Sequence, residues 1–295
     1  MILLKNEDRE LVRVASWDEV EQLPGFTLGV NPTEHKLSQI IGSYAFVERR
    51  PCGLTTCRQP HGNGYIVTTV AGPITNLGKD CGKTHFGLEW TLERKRFDAE
   101  VTRQLNKEQL RLFGAQLPAI ESRVERLRSG GYAASWVLSN VSALKNQIRV
   151  SPSVVSLLSD MVRRRAASIT RVRSKSDDEM QLDPAGSRYV DEQVAVLRGF
   201  EVLLPENDLR ELVAVQLVER TKEFLALDID LLPANELKKW AKWAATVEQT
   251  LTQAETAVES GKIFFTKENL RPLCEKISSG KDKEQFLEFL KKLPS

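Results

Sequence analysis

A short stretch of this chain, from Cys52 to His85, contains most of its cysteines and histidines. Three of the four cysteines and two of the three histidines lie there, in the order Cys52, Cys57, His61, Cys81 and His85. Thiolate and imidazole groups at such close spacing are typical ligands of a tetrahedral Zn²⁺ ion. Because a bound metal would draw these positions together, the cluster constrains the fold more than any other feature of the sequence.

The residues around the cluster predict an extended segment, a hairpin and a helix. The segment IIGSYAFVERRP is extended and leads directly into Cys52. The stretch GYIVTTVAGPITNLG has β-branched and aromatic residues on both sides of Ala71-Gly72-Pro73, which predicts a β-hairpin. In a helix that starts near Asp80, Cys81 and His85 would lie on one face of the first turn.

Over about residues 50–90, this order of elements resembles a treble-clef zinc finger. The resemblance implies that Cys52 and Cys57 come from the knuckle and that Cys81 and His85 come from the helix. The knuckle spacing is C-x4-C, where C-x2-C is usual, and His61 is an alternative ligand to His85 because a structural zinc takes four ligands. In the competing interpretation, the cysteines are reduced core residues and the histidines are incidental.

The character of the sequence changes at about residue 95. Residues 1–94 hold most of the 17 glycines and are typical of short elements joined by turns. Residues 95–295 show apolar positions at helical spacing. We therefore predict an α+β protein, with a small zinc-stabilised N-terminal module that contains a β-hairpin (1–94) and a mainly α-helical domain (95–295). The loop 176–188 is a candidate sub-boundary.

Helices are predicted throughout the second part of the chain. Residues 97–128 form one long helix, or a pair broken near Gly114 or Pro118, and another helix begins at Pro152 because Ser151 is a good cap. Further helices are predicted over 132–147, 189–204, 206–227, 235–259, 267–278 and 283–293.

One concentrated run of positive charge extends from Arg163 to Lys175, and the acids Asp177, Asp178 and Glu179 follow it. Its basic side chains are candidates for contacts with nucleic-acid phosphates: Arg163, Arg164, Arg165, Arg171, Arg173 and Lys175. Equally, arginines at the end of a helix complement the helix dipole and can pair with the acids that follow. Pairing of this kind would leave no free patch.

Several classes of protein are disfavoured by the sequence. The net charge of +2 is too small to indicate a nucleic-acid or membrane partner for the whole molecule. No apolar run approaches the roughly 20 residues that cross a bilayer, and no signal-peptide core is found. Because Cys274 is the only cysteine outside the cluster, a disulfide framework is not expected and a reducing cytoplasm is the predicted location.

The sequence thus predicts a zinc-stabilised, non-enzymatic binding protein whose target is nucleic acid or a protein partner. Motifs for zinc peptidases, deaminases, serine hydrolases and P-loop ATPases are absent from the sequence. One alternative is a metal-dependent nuclease that uses His61 or His85 in a ββα-like zinc site. Another is a helical scaffold that forms homo-oligomers through the amphipathic stretch 97–128.

Overall fold

The computed structural model describes residues 1–6, 8, 10–70, 72–183 and 185–295. These residues form two compact units, Met1–Leu110 with Pro233–Lys238, and Arg111–Leu232 with Lys239–Ser295. The division into domains 1–94 and 95–295 stays a prediction, because compactness alone does not show that either part folds independently. Ala71 of the predicted turn and Pro184 of the loop 176–188 lie outside the described residues.

The described part of the first unit contains an antiparallel sheet of five strands, in the order β2-β1-β3-β4-β5. The strands are β1 (Ile2–Lys5), β2 (Leu11–Val14), β3 (Leu37–Pro51), β4 (Pro60–Thr69) and β5 (Ile74–Leu77). A short helix, α1 (Trp17–Glu21), follows β2. The Glu19 carboxylate accepts a hydrogen bond from the Ser16 backbone N–H (3.1 Å), which satisfies one of the free amides at the start of α1.

The predicted hairpin is present as β4 and β5, in which Thr68 pairs with Ile74 and Tyr65 with Leu77. A second hairpin joins β3 to β4, and its connection, residues 52–59, contains two of the clustered cysteines. Since β5 is antiparallel to β4, β5 ends near the start of β4, at the same end of the sheet as this connection. The helix that follows β5 therefore begins beside residues 52–59.

Apolar side chains cover both faces of this sheet. Successive strand residues point to opposite faces, so the neighbours Ile66 and Val67 belong to different clusters. One cluster contains Val30, Leu37, Ile40, Cys52, Leu54, Val67, Leu77, Trp90 and Phe97. The other contains Ile2, Leu4, Trp17, Val20, Tyr44 and Ile66. The first cluster includes Cys52, so the cysteine site adjoins the core of the unit.

Helix α2 (Lys79–Arg128) is interrupted near its start by Gly87, whose φ of 54° and ψ of −122° are not helical. The kink allows the indole of Trp90 to pack over Gly82, where a Cβ atom would overlap the ring. Trp90 is almost completely buried. Gly82 is therefore required for the close approach of the first turn of α2 to this ring.

The second unit is mainly helical. Besides the C-terminal part of α2, its helices are α3 (Ala134–Leu144), α4 (Gln147–Val150), α5 (Pro152–Arg164), α6 (Asp177–Leu182), α7 (Arg220–Leu225), most of α8 (Ala234–Phe264), α9 (Lys267–Leu270) and α10 (Gly280–Leu290). Helix α5 starts at Pro152 as predicted, although the Ser151 side chain makes no capping hydrogen bond. Inside the unit, the ring of Trp243 packs against Phe113 and Phe224, with ring centroids 5.2 and 5.9 Å apart.

Among the described residues, every helix is too short or too polar to cross a bilayer.

The predicted helix 189–204 is wrong. Residues Tyr189–Val196 form β7, which pairs antiparallel with β6 (Ser168–Ser174). The β-branched residues of both segments favour a strand, and cross-strand pairing outweighs a weak helical period. Helix α6 lies between these strands, inside the predicted loop 176–188, and is capped by the Ser176 hydroxyl, which accepts a hydrogen bond from the Glu179 N–H (3.3 Å).

We expect the substitution Gly82→Ala to destabilise the first unit. The added methyl group would displace the buried Trp90 ring, and overpacking of this kind typically costs about 1–3 kcal/mol. The matched control is Gly131→Ala, because a Cβ atom at Gly131 would meet open space. Urea unfolding followed by circular dichroism measures the difference, and equal midpoints for the two variants would contradict the role assigned to Gly82.

Candidate metal centre

Three of the predicted ligands lie together in the structure. The Sγ atoms of Cys52, Cys57 and Cys81 all lie within 4.8 Å of one another, and those of Cys57 and Cys81 are 3.2 Å apart. All three are free thiols rather than disulfide partners. Cys52 follows β3, Cys57 lies in the same connection and Cys81 lies in the first turn of α2. The group is a candidate metal site that joins the connection between two strands to the start of a helix.

Backbone contacts determine the shape of the connection 52–59. The Cys57 N–H donates to the Leu54 carbonyl (3.3 Å), and the Cys52 N–H donates to the Gln59 carbonyl (3.1 Å). Arg58 takes a left-handed conformation with a φ of 49°, which reverses the chain after Cys57. Gly53 donates its N–H to the Asn76 carbonyl (2.8 Å) and so joins the connection to β5.

Backbone amide groups donate hydrogen bonds to two of the sulfur atoms. A hydrogen bond from the Gln59 amide lowers the pKa of Cys57. Burial raises the pKa of Cys52, although amides of Leu54 and Gly78 oppose the increase by donating to its sulfur. Burial, together with the neighbouring Cys57, raises the pKa of Cys81 to about 12. A bound cation would favour the ionised form of all three sulfurs, so the donor set fits a metal ion.

His61 is held away from the cysteine site by a polar network. Its Nε2 atom is 2.8 Å from the Tyr44 hydroxyl, and its Nδ1 atom is 3.3 Å from the Gln59 carbonyl. When Nδ1 donates to the Gln59 carbonyl, Nε2 is the acceptor for the Tyr44 hydroxyl, and the Asn76 amide donates to that same hydroxyl (3.0 Å). Both ring nitrogens of His61 are therefore engaged within the fold.

His85 lies one helical turn after Cys81 but does not belong to the group of sulfurs within 4.8 Å. Its Nε2 atom is 3.1 Å from the hydroxyl of Thr56, which immediately precedes Cys57. The ring is half-buried and contacts the same connection that carries two of the cysteines. The structure thus places His85 next to the site, with a single side-chain hydrogen bond to its ring.

Acidic side chains pair with most of the basic run. Arg163 contacts Asp160 (2.6 Å), and Arg165 contacts Glu206 (2.7 Å). The other pairs are Arg171 with Glu192, Arg173 with Glu179 and Lys175 with Asp183. The Arg173 guanidinium lowers the pKa of Glu179 to about 2.

Of the three acids expected to pair with the run, Glu179 does so. Its Oε2 atom accepts a hydrogen bond from Arg173 at 2.7 Å. Arg164 is exposed, and within the described ranges the structure gives it no ion pair. A role of the run in nucleic-acid binding stays a prediction, and these ion pairs would have to open before phosphates could bind.

The sequence interpretation missed Tyr44 and Asn76, whose side chains hydrogen-bond to each other near the site (3.0 Å). Asn76 is completely buried within β5, and its amide also donates to the Pro51 carbonyl (2.9 Å), next to Cys52. Asparagine is depleted in strands, so its presence in the strand sequence ITNL is the signal that could have identified it.

No protein-family model, curated protein or solved structure matches this chain.

We expect each substitution Cys52→Ser, Cys57→Ser and Cys81→Ser to lower the amount of metal bound by the purified protein. Serine is a much poorer ligand for a soft metal ion, and the three sulfurs share one site. Cys274→Ser is the matched control, because Cys274 is a buried free thiol in the second unit. Elemental analysis of each variant gives the metal-to-protein ratio, and unchanged ratios in all three cluster variants would exclude the site.

Proposed function

We propose that this chain is a zinc-stabilised, non-enzymatic binding protein whose first unit recognises another protein. The group of three cysteines at the junction of the β3–β4 connection and α2 supports this proposal. Soft thiolates favour Zn²⁺ over the hard cations, which prefer oxygen ligands. His85 supplies the fourth ligand by leaving Thr56, because His61 is engaged by Tyr44 and Gln59.

Zinc has a structural role in this proposal. The site would join residues that close a hairpin to the first turn of a helix, so the ion would fix the direction in which α2 leaves the sheet. Cys52 packs in the core beside Leu77 and Trp90, so metal binding and core packing stabilise the same arrangement. In sites of this kind, the free energy of metal binding contributes to the free energy of folding.

An exposed apolar pair on α2 supports a protein as the target. Leu88 and Leu92 are one helical turn apart and are 73% and 59% exposed. They lie just beyond the Gly87 kink that follows His85, so the metal site would fix the segment that leads into this surface. Exposed apolar residues of this size, grouped on one element, often mark an interaction site.

Nucleic acid is the second candidate target, favoured by basic side chains near the metal site. Lys79 and Lys83 are exposed in the first turns of α2, and within the described ranges neither has an ion-pair partner. The run from Arg163 to Lys175 gives this candidate less support, because acids already pair with most of its members. The nuclease alternative lacks a free histidine at His61, and the oligomer alternative gains no specific support.

We expect X-ray absorption at the zinc edge to show three sulfurs and one nitrogen around the metal. His85→Ala should replace the nitrogen with a water oxygen and weaken zinc binding. His61→Ala should leave the coordination unchanged, although it removes hydrogen bonds from Tyr44 and Gln59. Loss of the nitrogen signal in His61→Ala alone would show that the ligand assignment is reversed.

Removal of zinc from the full chain tests the structural role. A chelator should increase amide hydrogen exchange in residues 52–59 and 79–86, while α8 and α10 of the second unit keep their protection. Readdition of Zn²⁺ should restore the slow exchange. If metal-free protein shows unchanged exchange in both segments, the metal does not stabilise the fold.

The target is tested by affinity purification of the tagged wild-type chain and of the variant Leu88→Glu/Leu92→Glu. Specific protein partners should be lost from the variant but retained by Leu182→Glu, which alters an exposed leucine of the second unit. Nucleic acid would instead co-purify with both variants and dissociate steeply with salt. That result would favour the second candidate.

A further inference from the structure

A cleft in the second unit has the dimensions of a small-molecule site and is separate from the cysteine group. Its volume is about 520 Å³, within the range of pockets that bind small ligands. Helices α3 and α5 form two of its walls, and the 3₁₀ segments between residues 200 and 207 form the third. All of its lining residues belong to the second unit.

The walls of the cleft are aliphatic. Leu158 and Leu209 form buried parts of the lining, and other side chains remain only half-buried: Leu138, Val141, Val155, Val162, Leu203 and Leu204. Aromatic side chains are missing from the described lining. Because planar ligands commonly stack on aromatic rings, such a surface suits a flexible hydrocarbon chain better than a nucleobase or another aromatic group.

Two cations line the same cleft without ion-pair partners among the described residues. These are Lys145, which immediately follows α3, and Arg210, and both are exposed. The third charged group is Asp208, whose Oδ1 atom accepts a hydrogen bond from the Arg210 backbone N–H (2.9 Å). By contrast, arginines such as Arg123 and Arg165 in the same unit are paired with glutamates.

Two other polar side chains of the lining are already engaged with the backbone. The Ser159 hydroxyl donates to the Val155 carbonyl (2.7 Å), and the Asn207 amide donates to the Glu201 carbonyl (2.8 Å). The side chains of Lys145 and Arg210 are therefore the groups suited to bind a charged ligand. An arginine fork matches the two oxygens of a carboxylate, and a lysine adds a second positive charge.

An unusual helix begins at this cleft. Residues Arg210–Glu219 form a π-helix, and its first residue is one of the two free cations. π-Helical turns are rare and occur frequently at functional sites, since their hydrogen-bond geometry is less favourable than that of an α-helix. This observation is independent of the volume and the charge of the cleft, and it points to the same location.

We propose that the cleft binds a medium-chain fatty acid, with the hydrocarbon chain against the aliphatic walls and the carboxylate between Lys145 and Arg210. The aliphatic lining provides affinity through burial of the chain. The two cations select the ionised carboxylate over a neutral head group. The site is independent of the metal centre, so loss of zinc binding and loss of fatty-acid binding are separate outcomes.

Calorimetric titration of the full-length protein with decanoate tests the proposal, with decan-1-ol as the neutral probe. We expect one decanoate per chain and weaker binding of decan-1-ol. Lys145→Gln/Arg210→Gln should raise the Kd for decanoate by about tenfold or more, since it removes charge-assisted hydrogen bonds. Lys281→Gln/Lys292→Gln is the matched control for total charge and should leave the Kd unchanged.

Val155→Trp, which fills the cleft, should abolish decanoate binding without changing zinc content. Contacts between the decanoate chain and leucine and valine methyl groups, observed by NMR in the wild-type protein, test the location even if this variant does not fold. The proposal is overturned if decanoate does not bind, if decan-1-ol binds equally well, or if the methyl contacts map to residues outside the cleft.

Discussion

The packing of three cysteine sulfur atoms within 4.8 Å of one another is the constraint around which the first unit is arranged. Cys52, Cys57 and Cys81 are brought together because β5 runs antiparallel to β4 and delivers α2 to the β3–β4 connection. Burial and the neighbouring sulfurs raise the pKa of Cys81, so the geometry disfavours its thiolate when no cation is bound. A cation bound by the three sulfurs would favour their ionised forms, so metal binding and thiol ionisation would be coupled at the proposed site.

The parts of the fold that depend on local chemistry could be predicted from the sequence. β-Branched residues on both sides of a Gly-Pro turn predicted the β4–β5 hairpin, and Ser151 with Pro152 predicted the start of α5. Strand β7 was predicted as a helix, because its β-branched residues give only a weak local signal and its stability comes from pairing with β6. Cross-strand contacts depend on residues distant in sequence, and a local pattern contains no information about them.

The sequence likewise predicted only part of the candidate site. Spacing identified the three cysteines, because several cysteines in one short stretch are typical of metal ligands. Spacing alone could not separate His61 from His85, since His61 lies four residues after Cys57 and His85 lies four residues after Cys81. The difference between them comes from Tyr44, which engages His61 and itself accepts a hydrogen bond from Asn76, and the cysteine pattern includes neither residue.

A run of basic residues in the sequence does not by itself form a free positively charged surface. The run from Arg163 to Lys175 is the densest positive segment, yet acids from α5, α6, β7 and the segment around Glu206 pair with most of it. Lys145 and Arg210 are isolated in sequence, but folding places both at one aliphatic cleft. A ligand responds to the charge that remains after internal pairing, so these two scattered cations provide a stronger basis for recognition than the run does.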